Sequence, residues 1–226
     1  LYRCGFCCVK TRQNFHLRST DNVMQQIRQL KVLYGADLAN YNAVFLGNHD
    51  ALAAGPERVC MAAAESYAVF GLERAYVKNP VLFLFGCVDS LLAAKNNLFE
   101  TLSRMPFYTY INIGLESMDA ATLRSIQKPL EIHKIEEAFG MMLAVNRSYQ
   151  NLEITANFLL GDRLPPVHYQ ALIELIRNRL DRYYSKGAVY LSPLNTSHDN
   201  RWLPRTFVEI KNLSRLPTYL YLIQRL

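Results

Sequence analysis

The sequence predicts an α/β chain of alternating strands and helices, and three observations carry that prediction. Five short segments are mostly apolar or β-branched, four of them stop near a glycine or proline, and longer stretches with helical spacing lie between them. Crossovers between such units are right-handed, so the strands are expected to be mostly parallel and covered on both faces.

In chain order, the first helix is read from Asp21 to Tyr34. Ser19 and Thr20 offer capping side chains, Val23, Ile27, Leu30 and Leu33 fall on one stripe, and Gly35 stops it. The first strand runs from Ala43 to Gly47. A helix opens at Pro56 and runs to Phe70, with Gly71 as its stop. The second strand, Val81 to Gly86, leads to a helix over Ser90 to Arg104. The third, Tyr108 to Gly114, leads to one over Ile132 to Val145. The fourth, Ile154 to Leu160, leads to one over Pro166 to Tyr183, and Ala188 to Ser192 is the fifth. After Pro193 the segment NTSHDNRWLPR reads as loop, and TFVEIKNLSRLPTYLYLIQRL reads as a helix interrupted at Pro217. One domain over residues 1–226 is expected, with strand–helix units over 1–197 and a C-terminal extension over 198–226.

With 226 residues, half of them hydrophobic, the chain can bury a substantial core, which excludes a disordered class. The most hydrophobic stretch, NPVLFLFGCVDSLLAA, is cut by Gly86 and Asp89, so no membrane span is expected. Neither is a secretory signal, which makes the cytoplasm the expected compartment. Three of the five cysteines are Cys4, Cys7 and Cys8, while Cys60 and Cys87 stand alone among apolar residues. That distribution is unlike a disulfide framework and points to reduced thiols or metal ligands. The net charge of +6 is scattered, with only a loose excess at Arg201, Arg205, Lys211, Arg215 and Arg225. It reads as a solvated basic face rather than a nucleic-acid surface.

In parallel α/β folds the ligand site lies at the carboxyl ends of the strands. The segments to inspect are therefore those that follow each strand, beginning at Gly47, Gly86, Gly114, Gly161 and Pro193. Glycines there let a backbone approach a small polar cofactor closely. Among other polar candidates, His49 next to Asp50 is the one histidine with a positional case for a role. Asp89 and Asp162 read as helix caps, Cys8 and Cys87 as packed thiols, and Tyr108 and Tyr110 as packing residues.

The opening LYRCGFCCVK places Cys4 and Cys7 in a C-x-x-C pair, which can hold zinc or an iron–sulfur cluster. A four-cysteine zinc site needs a second pair, and Cys60 and Cys87 are far apart. Cys4-Gly5-Phe6-Cys7 resembles the last four positions of the C-x-x-x-C-x-aromatic-C signature of the radical S-adenosylmethionine (SAM) superfamily. The resemblance implies that Cys4 and Cys7 are ligands of a [4Fe-4S] cluster, that the first cluster cysteine stands just before Leu1, and that a first strand lies upstream. The implied fold is a partial (β/α)6 TIM-like barrel, truncated at its N-terminus.

FLGNHDAL resembles the superfamily's glycine-rich acidic segment, in which backbone groups and an acid hold the amino group of SAM; the resemblance implies that role for Gly47 and Asp50, with Asn48 beside them a cofactor-binding candidate, although Asn48 and His49 replace more usual residues. INIGLESMDAATLRSIQKP resembles the segment of tRNA-modifying and coproporphyrinogen-oxidase-like members. There Gly114 precedes Glu116 and Ser117, which would face the sugar or methionine part of SAM. ITANFLLG resembles the next strand, with Asn157 toward the cofactor, AVYLSPL the strand that backs the adenine, and Phe6 would pack by the adenine. The resemblance implies an enzyme that cleaves SAM reductively to a 5′-deoxyadenosyl radical, which takes hydrogen from a substrate. Implied partners are an external electron donor, flanking domains of a longer chain, and a small molecule, tetrapyrrole or tRNA as substrate. With two of three cluster ligands, this stretch alone is expected to be inactive. Two other readings stand beside it, a non-catalytic α/β barrel domain binding a metal or nucleotide and a nucleic-acid-binding module.

Overall fold

The computed structural model describes residues 17–47, 49–94, 96–194 and 202–221. Six strands, β1 Ala43–Leu46, β2 Val81–Gly86, β3 Tyr108–Glu116, β4 Leu152–Leu160, β5 Val189–Pro193 and β6 Thr218–Leu220, pair in the order β1-β2-β3-β4-β5-β6. All are parallel, so the α/β class and the arrangement expected of a partial barrel are those of the structure. The register sets Phe45 beside Phe83 and Asn157 beside Tyr190. Eight helices are described: α1 Thr20–Tyr34, α2 Pro56–Phe70, α3 Val88–Ala93, α4 Asn96–Ser103, α5 Ala120–Ser125, α6 Ile132–Ser148, α7 Pro166–Ile173 and α8 Trp202–Leu213.

Two compact units divide the described residues. The N-terminal unit comprises described residues within Gln13–Asn112 and Ala144–Glu153. Its helix boundaries follow local chemistry. Ser19, in extended backbone, accepts the Asn22 N–H at 3.2 Å and starts α1. Pro56 opens α2, and Gly71 closes it in the left-handed conformation at φ 64°. On β2, Leu82 and Leu84 are buried on one face while Phe83 is exposed on the other, the period-2 pattern of a strand with one core face. Each fully buried leucine contributes about 1.5–3 kcal/mol.

The C-terminal unit comprises described residues within Ile113–Leu143 and Ile154–Leu226. Ile154, Ala156 and Phe158 on β4 and Val189 and Leu191 on β5 form its buried strand face. Ile135, Phe139 and Met142 of α6 and Leu172 of α7 are buried as well.

Three expectations are corrected. The stripe on α1 is buried only in its first half: Ile27 is buried, whereas Leu30 is 41% and Leu33 75% exposed. The helix read over Ser90 to Arg104 is two, because Ala94 takes an extended conformation between α3 and α4. The C-terminal segment is a helix followed by a sixth strand, not an interrupted helix. Ser214 closes the turn after α8 by accepting the Leu216 N–H at 3.0 Å, and Pro217 leads into extended chain. Val189 N–H donates to the Pro217 carbonyl at 2.8 Å and Tyr221 N–H to that of Leu191 at 2.8 Å, docking β6 on β5.

Candidate functional site

In the C-terminal unit the polar groups gather where β3, β4 and β5 end. Glu116 closes β3 with φ 65°, a left-handed conformation that costs a residue with a side chain about 1–2 kcal/mol. The Ser117 N–H donates to the Leu115 carbonyl at 2.8 Å across it, so Glu116 centres a three-residue turn of the strained kind. Its carboxylate is buried, and Oε1 accepts from Lys128 Nζ at 2.9 Å. Nζ also donates to the Gly114 carbonyl at 2.8 Å. Asn157 on β4 donates to Glu116 Oε2 at 3.2 Å, and Ser192 on β5 donates to the Asn157 side-chain oxygen at 2.6 Å. A chain of bonds from Lys128 to Ser192 thus crosses three strand ends.

The local sequence builds this arrangement. After α5, Gln127 takes φ 57°, its N–H donates to Arg124 O at 3.0 Å, and Lys128 N–H reaches back to Leu123 O at 2.9 Å. This is a Schellman closure with glutamine in the position glycine usually fills. It delivers Lys128 back over Gly114. A Cβ on residue 114 would lie 2.5 Å from Glu116 Oε1 and 3.0 Å from Lys128 Nζ, so the ion pair occupies the space that glycine leaves open.

Ser117 is fully buried. Its oxygen accepts from Asp119 N–H at 3.0 Å and lies 2.8 Å from His168 Nδ1, while His168 Nε2 lies 2.9 Å from the Leu159 carbonyl. Asp119 caps α5 by accepting from Thr122 N–H and Oγ1, both at 2.7 Å. Burial pushes the Asp119 carboxyl up, but the bonds from Thr122 and Ala121 outweigh it and leave its pKa below the usual value. Burial also holds the His168 imidazole below its usual pKa, partly offset by the Leu159 bond and by Asp119.

In the N-terminal unit, Gly47 follows β1 with φ 76°, and a Cβ there would meet Ala51 Cβ at 3.2 Å. Ala51 N–H donates to the Phe85 carbonyl at 2.8 Å, which ties the loop to β2. Asp50 is buried. Its Oδ2 accepts from Ser90 Oγ at 2.5 Å and from the Cys87 thiol at 3.0 Å, and Oδ1 accepts from Cys87 N–H at 3.3 Å. Among the described residues no cation is paired with it. Cys87 caps α3, and burial followed by the bond to Asp50 raises its thiol pKa, which suits a packed thiol. The Cys60 thiol is raised by burial alone. His49 Nε2 is buried with no hydrogen-bond partner among the described residues.

The structure therefore places Gly114 and Glu116 in the last part of β3, joins Glu116 to Asn157 of β4, buries Ser117 next to Glu116, and sets Gly47 and Asp50 in the segment after β1. Phe6, Cys4, Cys7 and Asn48 lie outside the described residues. Among the described residues no group of three or more His, Cys, Asp or Glu side chains could hold a metal ion, and no helix is long and apolar enough to cross a membrane. Sequence reasoning missed Lys128, His168 and Ser192. Only Lys128 had a local signal, as the basic residue before the final proline of the INIGLESMDAATLRSIQKP segment.

No protein-family model and no curated protein matches the sequence. Several solved structures are similar in fold, two of them as follows. A cobalamin-dependent S-adenosylmethionine radical enzyme, OxsB, with aqua-cobalamin bound, aligns with a TM-score of 0.52 at 11% identity over 77% of this chain and 24% of that one. Methylornithine synthase, PylB, aligns with a TM-score of 0.51 at 13% identity over 88% of this chain and 51% of that one. The chain thus spans about a quarter of the first protein and half of the second. At these identities the likeness is one of fold, a parallel α/β sheet shared with a radical SAM enzyme and a methylornithine synthase.

Proposed function

We propose that the chain is the core domain of a radical SAM enzyme. Three things support this reading: the match of Cys4-Gly5-Phe6-Cys7 to the cluster signature, the fold likeness, and the polar network where β3, β4 and β5 end. The network carries most weight. A buried carboxylate in a strained turn, braced by a cation and an amide from neighbouring segments, is what a preorganised binding group requires.

The residues fit SAM through their charge balance. Glu116 is neutralised by Lys128, and a carboxylate offers about four acceptor sites, of which Lys128 and Asn157 occupy two. A neutralised carboxylate with spare lone pairs suits neutral hydroxyl donors, such as those of a ribose. Among the described residues Asp50 is bonded only to the neutral donors of Cys87 and Ser90, and such a carboxylate suits an ammonium. In this reading Gly47, Asn48 and Asp50 take the amino group of SAM and Glu116 and Asn157 its sugar. Gly114 leaves room for the ion pair, and Ser117 anchors the turn from behind. Phe6 packs by the adenine. Cys4 and Cys7, with a further cysteine, hold a [4Fe-4S] cluster.

When bound, the cluster would pass one electron from the external donor to the sulfonium of SAM, breaking its C5′–S bond with methionine as the leaving group, and so would supply hydrogen-abstraction chemistry. This chain's own residues orient SAM by its charged and hydroxyl groups, while the buried strand ends keep water from the reacting atoms. The substrate is a small molecule, a tetrapyrrole or a tRNA; the electron donor is external, and the compartment is the cytoplasm.

The test is made on the full-length protein that carries this chain, purified anaerobically and reconstituted with iron and sulfide. Given dithionite and SAM, it is expected to form 5′-deoxyadenosine, and Cys4→Ala with Cys7→Ala to abolish it. An iron-free wild type that forms no product would overturn the reading and leave a binding domain.

A further inference from the structure

We infer that Ser117 and His168 form a clasp that holds the Glu116 turn in register with Asn157 and makes the hold of this site on its cofactor sensitive to acid. The inference rests on the reading of Glu116 and Asn157 as cofactor-facing residues.

The proton positions follow from the partners. The Leu159 carbonyl can only accept, so His168 Nε2 carries the hydrogen of that 2.9 Å bond. A neutral imidazole then has a bare Nδ1, and the Ser117 hydroxyl must donate to it at 2.8 Å while its oxygen accepts from Asp119 N–H. Each bond has one allowed direction.

The clasp spans the two strands that matter. Leu159 lies two residues beyond Asn157 on β4, and Ser117 directly follows Glu116 on β3. Glu116 at φ 65° relaxes only if a neighbour moves. Leu115 is buried in the core on one side, and Ser117, with no exposed surface, is fastened on the other. His168, equally buried, thus positions Glu116 through Ser117 without touching the candidate ligand.

Protonation would reverse the device. A hydrogen on Nδ1 needs an acceptor, so the Ser117 hydroxyl must turn, and its own hydrogen is left without its partner in a buried place. The titratable groups facing the ring are Asp119, from the start of α5, and Tyr169, whose ring stands edge-on at 4.9 Å on α7 itself. Among the described residues, β4 meets the ring through the Leu159 carbonyl and the turn through the Ser117 hydroxyl. Asp119 draws the proton in, but burial outweighs it and keeps the ring neutral near pH 7.

Three variants separate the clasp from simple packing. Ser117→Ala deletes the donor. His168→Gln can still reach the Leu159 carbonyl but loses the acceptor for Ser117, and His168→Asn keeps an acceptor near the Nδ1 position and loses the Leu159 bond. SAM binding to the full-length, anaerobically reconstituted protein is titrated by calorimetry between pH 5.5 and 8, and the imidazole nitrogens of His168 and the carboxyl carbon of Glu116 are followed by NMR without SAM. The expected results are affinity about tenfold weaker in Ser117→Ala and His168→Gln at pH 7.5, a smaller loss in His168→Asn, and weakening of the wild type toward pH 5.5 that Ser117→Ala lacks. In the NMR spectra, one Nε2–H tautomer and a Glu116 carboxyl signal that moves in Ser117→Ala are expected. Equal affinities and pH profiles in all four proteins would overturn the clasp. If the wild type binds no SAM, the proposed function fails by itself and the spectra still decide. A tautomer mixture, or a Glu116 signal unmoved by Ser117→Ala, then overturns the clasp.

Discussion

Glu116 and Asp50 are buried to the same degree, each 6% exposed, Glu116 closing β3 and Asp50 in the segment after β1, yet their partners differ in charge and in reach. Asp50 is satisfied by neutral donors from one short stretch, Cys87 to Ser90, at the start of α3. Glu116 is held by an ammonium from twelve residues downstream and an amide forty-one residues downstream, in a turn that carries backbone strain. One is a carboxylate fixed by a helix start, with only neutral partners among the described residues. The other is neutralised, and its geometry depends on segments distant in sequence. Burial alone therefore does not tell what a strand-end carboxylate can bind, whereas its counter-charge does.

Removing that counter-charge should have the largest effect. Lys128→Met strands the Glu116 carboxylate in a buried place and is expected to cost about 3–5 kcal/mol of stability in denaturant unfolding, with most of it recovered in Lys128→Met/Glu116→Gln. No recovery in the double variant would mean that Lys128 acts through its other contacts. Gly114→Ala inserts a methyl against the ion pair and is expected to cost about 1–3 kcal/mol in the same measurement. Ser90→Ala removes one neutral donor from Asp50 and is expected to cost about 1.5 kcal/mol, with no dependence on Lys128. Ser19→Ala, at the start of α1 and remote from both carboxylates, should cost about 1 kcal/mol through the lost cap and leave SAM affinity unchanged.

The pH dependence of stability sharpens the comparison further. The His168 pKa is lower in the folded chain than unfolded, so the unfolded chain binds the extra proton first as pH falls. Stability should decline as pH drops through about 6.5 and level off once the folded imidazole also protonates. His168→Gln should lack that component, and an unchanged pH–stability curve in the variant would show that His168 contributes none of it.

What the sequence disclosed followed the range of the interactions. The strand cores, the Ser19 cap, Pro56 and Gly71 depend on neighbours within a few residues, and they stand where pattern and capping chemistry put them. Position after a strand marked the segments that hold Asp50 and Glu116, and the family resemblance singled out the two acids within them. Lys128 was not, because its placement depends on a helix closure built with Gln127, a residue that does not announce a left-handed turn. His168 meets Ser117 across fifty-one residues, and no spacing rule joins them. The sixth strand was legible in principle: TYLYL after Pro217 alternates, with Thr218 buried and Tyr219 exposed, but its length and the helix before it favoured a helical reading. Leu30 and Leu33 show the converse, since an apolar stripe records what could be buried and only neighbours decide what is.

The central claim is that the ends of β3 and β4 hold SAM through Glu116 and Asn157, and equilibrium binding of SAM to the reconstituted full-length protein tests it most directly. Wild type is expected to bind, Asn157→Ala to bind about tenfold more weakly, and Glu116→Gln more weakly still, with Ser19→Ala indistinguishable from wild type. Binding that is equal in wild type, Asn157→Ala and Glu116→Gln would contradict the account and place the cofactor elsewhere.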